Sequence, residues 1–145
     1  METLALAHPP KGKPLPLVAV LRLGSQTRLL LLLKVYNIDN DIDVVIDLGK
    51  RQTIQSVSAT FMQDYLGWIW MPSEVEISVS NNNEDFSLLT VIKNDLPFEK
   101  GGFYLKDFEW KGKLEIRYVR YLAKSSGKRT GGWLFTDEMV ILNFI

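Results

Sequence analysis

Cysteine is absent from the chain and histidine occurs once. Without cysteine there is no disulfide framework, no thiolate nucleophile and no zinc site of the cysteine type. The single His8 sits in a proline-rich leader, "AHPPKGKPLP", expected to be extended and mobile, so catalysis that relies on histidine is not expected. An excess of one charge is missing too. Lys plus Arg and Asp plus Glu each number 17, so no bulk field draws the chain to nucleic acid or to an anionic membrane surface. The apolar run "LLLLLKV" falls far short of the roughly 20 residues that cross a bilayer, which argues against membrane insertion. A clear export signal is also lacking: Glu2 replaces the usual positive start, and no small-residue cleavage site follows a clean apolar run.

Long helical periodicity is the last absence. From Asp43 onward, short apolar-alternating runs are separated by turn-rich gaps, which predicts an all-β fold. With 145 residues, 46% hydrophobic and 23% charged, the chain has the length and balance of one folded domain with a real core. "DVVIDLG" reads as a strand stopped by Gly49. "TIQSVSATFMQ" points Val57, Ala59 and Phe61 to one face. In "EVEISVS", Val75, Ile77 and Val79 point inward, and the opposite face is expected to be wet. "NNNEDF" then turns the chain into a returning strand, "FSLLTVIK", because asparagine tolerates left-handed backbone angles. "FYLKDFEW" and "KLEIRYVRYLAK" read as two strands joined by a tight turn at Lys111 and Gly112. "EMVILNFI" closes the domain. Strands at this spacing predict an antiparallel β-sandwich, or jelly roll, of about eight strands. Residues 1–38 are atypical, a leader plus a candidate first strand; residues 39–145 form the sandwich.

Three stretches occur in a telling order: "DIDVVIDLGKRQTIQSVSATFMQD", "WMPSEVEISVSNNNEDFSLL" and "IRYVRYLAKSSGKRTGGWLFTDEMVI". Together they resemble the factor V/VIII type C, or discoidin, domain. More narrowly, they resemble the C-terminal accessory domain of bacterial family 20 β-N-acetylhexosaminidases. The resemblance implies a galactose-binding-like jelly roll and a non-catalytic carbohydrate-binding module. Such a module would recognise terminal galactose or N-acetylhexosamine-type sugars through loops at one end, beside a glycoside hydrolase, in a secreted or periplasmic setting. It does not imply the hydrolase, whose barrel is far larger than this chain. The competing expectation is a structural or protein-interaction domain that supports a neighbouring glycosidase without binding sugar. Before Asp39 the sequence departs from the family, reading "LGSQTRLLLLLKVYN" where a Trp-x-Gly loop is usual. A diverged N-terminus and a shifted upstream reading frame both account for this.

Sugar binding needs flat apolar faces for the C–H side of a pyranose and polar groups for its hydroxyls. In "QDYLGWIWMPS" the candidates are Asp64, Tyr65 and Trp68; Trp70 is expected in the core and Trp68 partly exposed. In "SSGKRTGGWLFTDE", Lys128 and Arg129 are candidate donors of paired hydrogen bonds, against the plainer expectation of a solvated tip. By resemblance the Trp-Leu-Phe element that follows is mainly structural. Asp39, Asp41 and Asp43 alternate like the start of a calcium loop, but the positions that need Gly and Glu hold Val44 and Lys50. The resemblance itself implies a structural calcium ion with Glu138 among its ligands. No acid/base pair, nucleophile elbow or phosphate loop stands out, so the chain is expected not to be an enzyme. In "KLEIRYVRY", Arg120 reads as a structural donor to a carbonyl or carboxylate rather than a nucleic-acid contact.

Overall fold

Two strands far longer than the rest, bent in the same place, build the architecture. The computed structural model describes residues 6–8, 20–22, 29–31, 36–37, 41–126 and 132–143. The long strands are β5 (Ile42–Asp64) and β9 (Phe103–Lys124), antiparallel along nearly their whole length, with Ile42 opposite Ala123 and Asp64 opposite Phe103. Their ladder breaks twice, between Asp47 and Gln52 and between Ile54 and Ser56. Extra residues opposite a shorter partner bend a ladder and increase its twist. Gly49, at φ 84°, sits in the first break, so it bends its strand where the sequence predicted a stop. Gly112 sits in the second break, where a β-carbon would come within 2.6 Å of the Trp110 ring. The expected tight turn at Lys111–Gly112 is instead this bend, because both flanking runs keep pairing with the same partner, β5.

Each long strand therefore runs through both layers of one continuous nine-stranded sheet that folds over at the bend. The first half of β5 and the second half of β9 are flanked by β7 (Glu74–Ser80), which pairs with β8 (Ser87–Lys93), and by β1 (Leu6–His8). The other halves pair together, and β11 (Thr136–Asn143) joins β5. Counted by halves, these ladders give the eight strands of the predicted jelly roll. Strands β2 (Val20–Arg22) and β3 (Leu29–Leu31) form a separate antiparallel pair. Three short strands, β4 (Tyr36–Asn37), β6 (Ile69–Trp70) and β10 (Trp133–Leu134), extend the sheet from Asp64 at the end opposite the bend.

Alternating inward residues from both halves meet in one core. Ile42, Val44, Ile46 and Leu48 from one half of β5 lie buried with Ile54, Val57, Ala59 and Phe61 from the other. Phe61 and Phe108 meet edge to face at 5.5 Å, an arrangement worth about 1 kcal/mol beyond the area buried. The Tyr121 hydroxyl donates across the sandwich to the Phe108 carbonyl at 3.2 Å, and burial raises that phenol well above its ordinary pKa. The predicted hairpin is present: Val75, Ile77 and Val79 are inward, and Glu74 pairs with Lys93 across to β8. Its turn is organised by Asn82, whose Oδ1 accepts from the Glu84 and Asp85 amides at 2.9 Å each. Asn83 is the asparagine that takes the left-handed angle, at φ 61°.

The outer face of the layer that carries β7 is less wet than expected. Arg120 donates to both oxygens of Asp43, at 2.9 and 2.7 Å, and Arg117 does the same to Asp47, at 2.9 and 3.2 Å. Lys124 donates to Glu76 at 2.9 Å. Asp43 is only 5% exposed. Its burial is tolerable because a bidentate guanidinium satisfies it, the structural role expected of Arg120, supplied by a strand carboxylate. Ser80, also expected to be wet, is buried with its hydroxyl accepting from the Asn82 and Asn83 amides.

Candidate carbohydrate-binding end

The antiparallel register brings the far ends of β5, β7, β8 and β9 to one end of the sandwich. Residues 65–73, 94–102 and 125–126, and the approach to β10, therefore lie together. Trp70 is the post around which they assemble. Its ring is fully buried and stacks on Phe98 at 4.8 Å and 13°. Tyr65 approaches it edge-on at 6.2 Å, and Trp68 lies tilted at 6.2 Å. Gly132 closes the last side: a β-carbon there would sit 2.2 Å from the Trp70 ring.

The turn at 65–68 follows from its own hydrogen bonds. The Gly67 amide donates to the Asp64 carbonyl at 3.1 Å, and the Trp68 amide donates to the Tyr65 carbonyl at 3.2 Å. Trp68 takes φ 60°, rare for a bulky residue, and is held there by the Trp133 amide donating to its carbonyl at 2.8 Å. Strain of this kind persists where the surroundings over-determine it, and here it directs a tryptophan that is 46% exposed to the tip of the loop.

Beside this cluster lies a cleft of about 320 Å³, lined among others by Gln63, Ser73, Asn94, Asp95, Phe98 and Ser126. Buried Gln63 ties two loops: its Nε2 donates to the Pro97 carbonyl at 3.0 Å, and its Oε1 accepts from the Met71 amide at 3.4 Å. Asn94 brackets Leu96 through both ends of its amide, and the Ser73 amide donates to the Lys124 carbonyl at 2.8 Å. Asp95 pairs with Lys106, whose hydrogen bond and positive charge hold the Asp95 carboxyl below its usual pKa.

The sequence-predicted residues divide. Tyr65 and Trp68 both stand against Trp70, and Trp70 is core, the burial expected of it. Asp64 stands at the last position of β5, where the strand phase directs its side chain away from buried Phe61 and Gln63, and its carboxylate accepts the Gly67 amide at 3.3 Å in the same turn as Tyr65 and Trp68. Lys128 and Arg129 lie outside the described residues; their flanks, Ser126 and Gly132, reach the cleft and Trp70. Of the Trp-Leu-Phe element, Leu134 is core while Trp133 is 43% exposed. The cleft residues Gln63, Ser73 and Asn94 were missed. Gln63 alone left a sequence signal, an amide at the next inward position after Val57, Ala59 and Phe61.

The Glu138 side chain, the resemblance's calcium ligand, also lies outside the described residues. Of the aspartates before it, Asp43 is taken by Arg120, and Asp41 accepts the Ser125 amide at 2.9 Å. Among the described residues no three acidic, histidine or cysteine side chains converge, and Asp39, like the Glu138 side chain, lies outside them.

No protein-family model matches the sequence, and no curated protein does. Solved structures do match. Chitosan-binding module 1 of a chitosanase/glucanase from Paenibacillus sp. IK-5 is 19% identical, with 94% of this chain covering 92% of that one at a TM-score of 0.52. A Ruminococcus gnavus GH29 fucosidase solved with fucose is 14% identical over 82% of this chain and 20% of its own, at a TM-score of 0.50. A family 32 carbohydrate-binding module from a Clostridium perfringens family 31 glycoside hydrolase is 13% identical, covering 81% and 76%, at a TM-score of 0.49. At such identities the likeness concerns the fold alone: the chain is an all-β, antiparallel sandwich that shares its overall fold with chitosan-binding module 1.

Proposed function

We propose that the chain is a non-catalytic carbohydrate-binding module that works beside a glycoside hydrolase, outside the cytoplasm. Its ligands are terminal galactose or N-acetylhexosamine-type sugars. The observation that carries this is the half-exposed Trp68, held at a positive φ against Trp70, whose stacking partner Phe98 lines a cleft edged by Asn94, Asp95 and Ser126. The indole face covers the C–H side of one sugar ring, and the cleft's polar atoms take its hydroxyls. Because the site is shallow, a single contact is weak, and attachment to an enzyme raises the effective concentration at a polymeric substrate. The catalytic step belongs to the partner enzyme.

A second reading, a support domain without sugar binding, draws on the fact that Gln63 and Asn94 spend their amides on loop backbone. A glycan array followed by titration with galactose, N-acetylgalactosamine and N-acetylglucosamine separates the two. Saturable binding that Trp68→Ala removes supports the module; an empty array and unquenched tryptophan fluorescence support the support domain.

A further inference from the structure

Four strands bring a second set of residues into line on the outer face of the sheet. Phe103 is opposite Asp64, Asp64 opposite Ile69, and Ile69 beside Trp133. Side chains at laterally paired positions project from the same side of a sheet. The alternation within each strand agrees: Gln63, Trp70 and Leu134 are buried, whereas Phe103 and Trp133 are 60% and 43% exposed. At roughly 4.8 Å per strand, the row from Phe103 to Trp133 runs about 14 Å, the length of a short oligosaccharide and more than one sugar ring.

Leu105 and its partner Met62 widen the row on one side, and Leu105 is also well exposed. Along the row and beside Leu105 the charges on this face are acidic; farther along, Lys111 pairs with Glu109 at 3.3 Å. Asp64 accepts from the Gly67 amide at 3.3 Å through Oδ1, and its Oδ2 has no hydrogen bond among the described residues. Asp107, two residues on from Leu105 and on the same face, accepts from the Thr60 hydroxyl at 2.5 Å. Apolar rings at both ends with a carboxylate between them match a chain of sugar rings bearing ammonium groups. A neutral chain would leave Asp64 without a charge partner.

We propose that this row is a second contact platform, taking an extended amino-sugar oligosaccharide across the strands. Its rings rest against Phe103, Ile69 and Trp133, and an ammonium group sits at Asp64. The proposal rests on the reading that the chain binds glycans, but it uses a different face from Trp68 and the cleft.

The test is titration of the full chain with glucosamine, the glucosamine hexamer and the N-acetylglucosamine hexamer. The variants are Phe103→Ala/Trp133→Ala, Asp64→Asn and Trp68→Ala, each checked for an intact fold by thermal melting. The platform predicts that the cationic hexamer binds at least about tenfold tighter than the monomer. The double variant loses that gain, and Asp64→Asn lowers the cationic hexamer's advantage over the neutral one about threefold. Asp64→Asn, which keeps the side chain's size, carries the test if the double variant melts early. Equal binding of monomer and hexamer, a preference for the neutral hexamer, or hexamer binding unmoved by these variants overturns it. A dimer that dissociates in the double variant while sugar binding stays unchanged also overturns it, assigning the face to a second copy. Failure of the loop-end reading looks different: the hexamer binds, the monomer does not, and Trp68→Ala changes nothing.

Discussion

Gly132→Ala adds a single methyl group where the structure has no room for it. The new β-carbon falls 2.2 and 2.6 Å from two carbons of the Trp70 ring and 3.3 Å from the Trp68 carbonyl oxygen. The ring cannot retreat freely, since Phe98 stacks on it at 4.8 Å and Tyr65 stands against it at 6.2 Å. Either Trp70 leaves its rotamer or the backbone before β10 lifts away, so the cost falls in the overpacking range of about 1–3 kcal/mol. For a domain of this size that lowers the melting temperature by about 3–10 °C. Removing the obstacle separates a clash from a general loss: in the Trp70→Leu background, Gly132→Ala should cost at least about 1 kcal/mol less than in the wild type. Urea denaturation of the four proteins provides the cycle. If Gly132→Ala melts with the wild type, or costs the same with and without the indole, Trp70 is not the post that gathers these loops.

Other consequences follow from single groups. Asp43→Asn leaves Arg120 facing a neutral amide in a nearly dry position, and should cost about 3 kcal/mol in a denaturant titration at neutral pH. A value near zero would mean that solvent already screens the pair. Tyr121 has a folded-state pKa raised by burial, so its contribution is complete below the tyrosine value of about 10 and is lost as pH rises through the folded value. Tyr121→Phe should therefore cost about 1 kcal/mol at neutral pH, from the lost bond to the Phe108 carbonyl, and flatten the alkaline fall in stability. An unchanged alkaline slope would assign that fall to other groups. Asn83→Ala places a β-branch-free but chiral residue at φ 61° without asparagine's tolerance, and should cost about 1 kcal/mol by the same assay, whereas Asn83→Gly should cost less.

Local pattern and long-range consequence were legible to different degrees. Val75, Ile77 and Val79 announced their strand because a half-buried strand has to alternate, and Trp70 announced its burial by the same alternation. Gly49 and Gly112 misled because a glycine that ends a strand and one that bends it look alike in sequence. Only the partner strand, bent at the same level, distinguishes them. Asp64 was grouped with Tyr65 and Trp68 by proximity along the chain. Its carboxylate does cap that turn through the Gly67 amide, but its strand phase also sets it between Phe103 and Ile69, with Trp133 one strand beyond, residues brought together by pairing between distant segments. The cleft was illegible for a similar reason: Ser73, Asn94 and Ser126 are ordinary loop residues until the register places their loops at one end.

The account turns on whether that end holds a sugar. Isothermal titration of the wild type and Trp68→Ala with galactose and N-acetylglucosamine is the direct measurement. Saturable binding of at least one sugar by the wild type, lost in a Trp68→Ala protein that melts normally, is the predicted result. Wild-type protein that takes up neither sugar, or Trp68→Ala binding as well as the wild type, would contradict it.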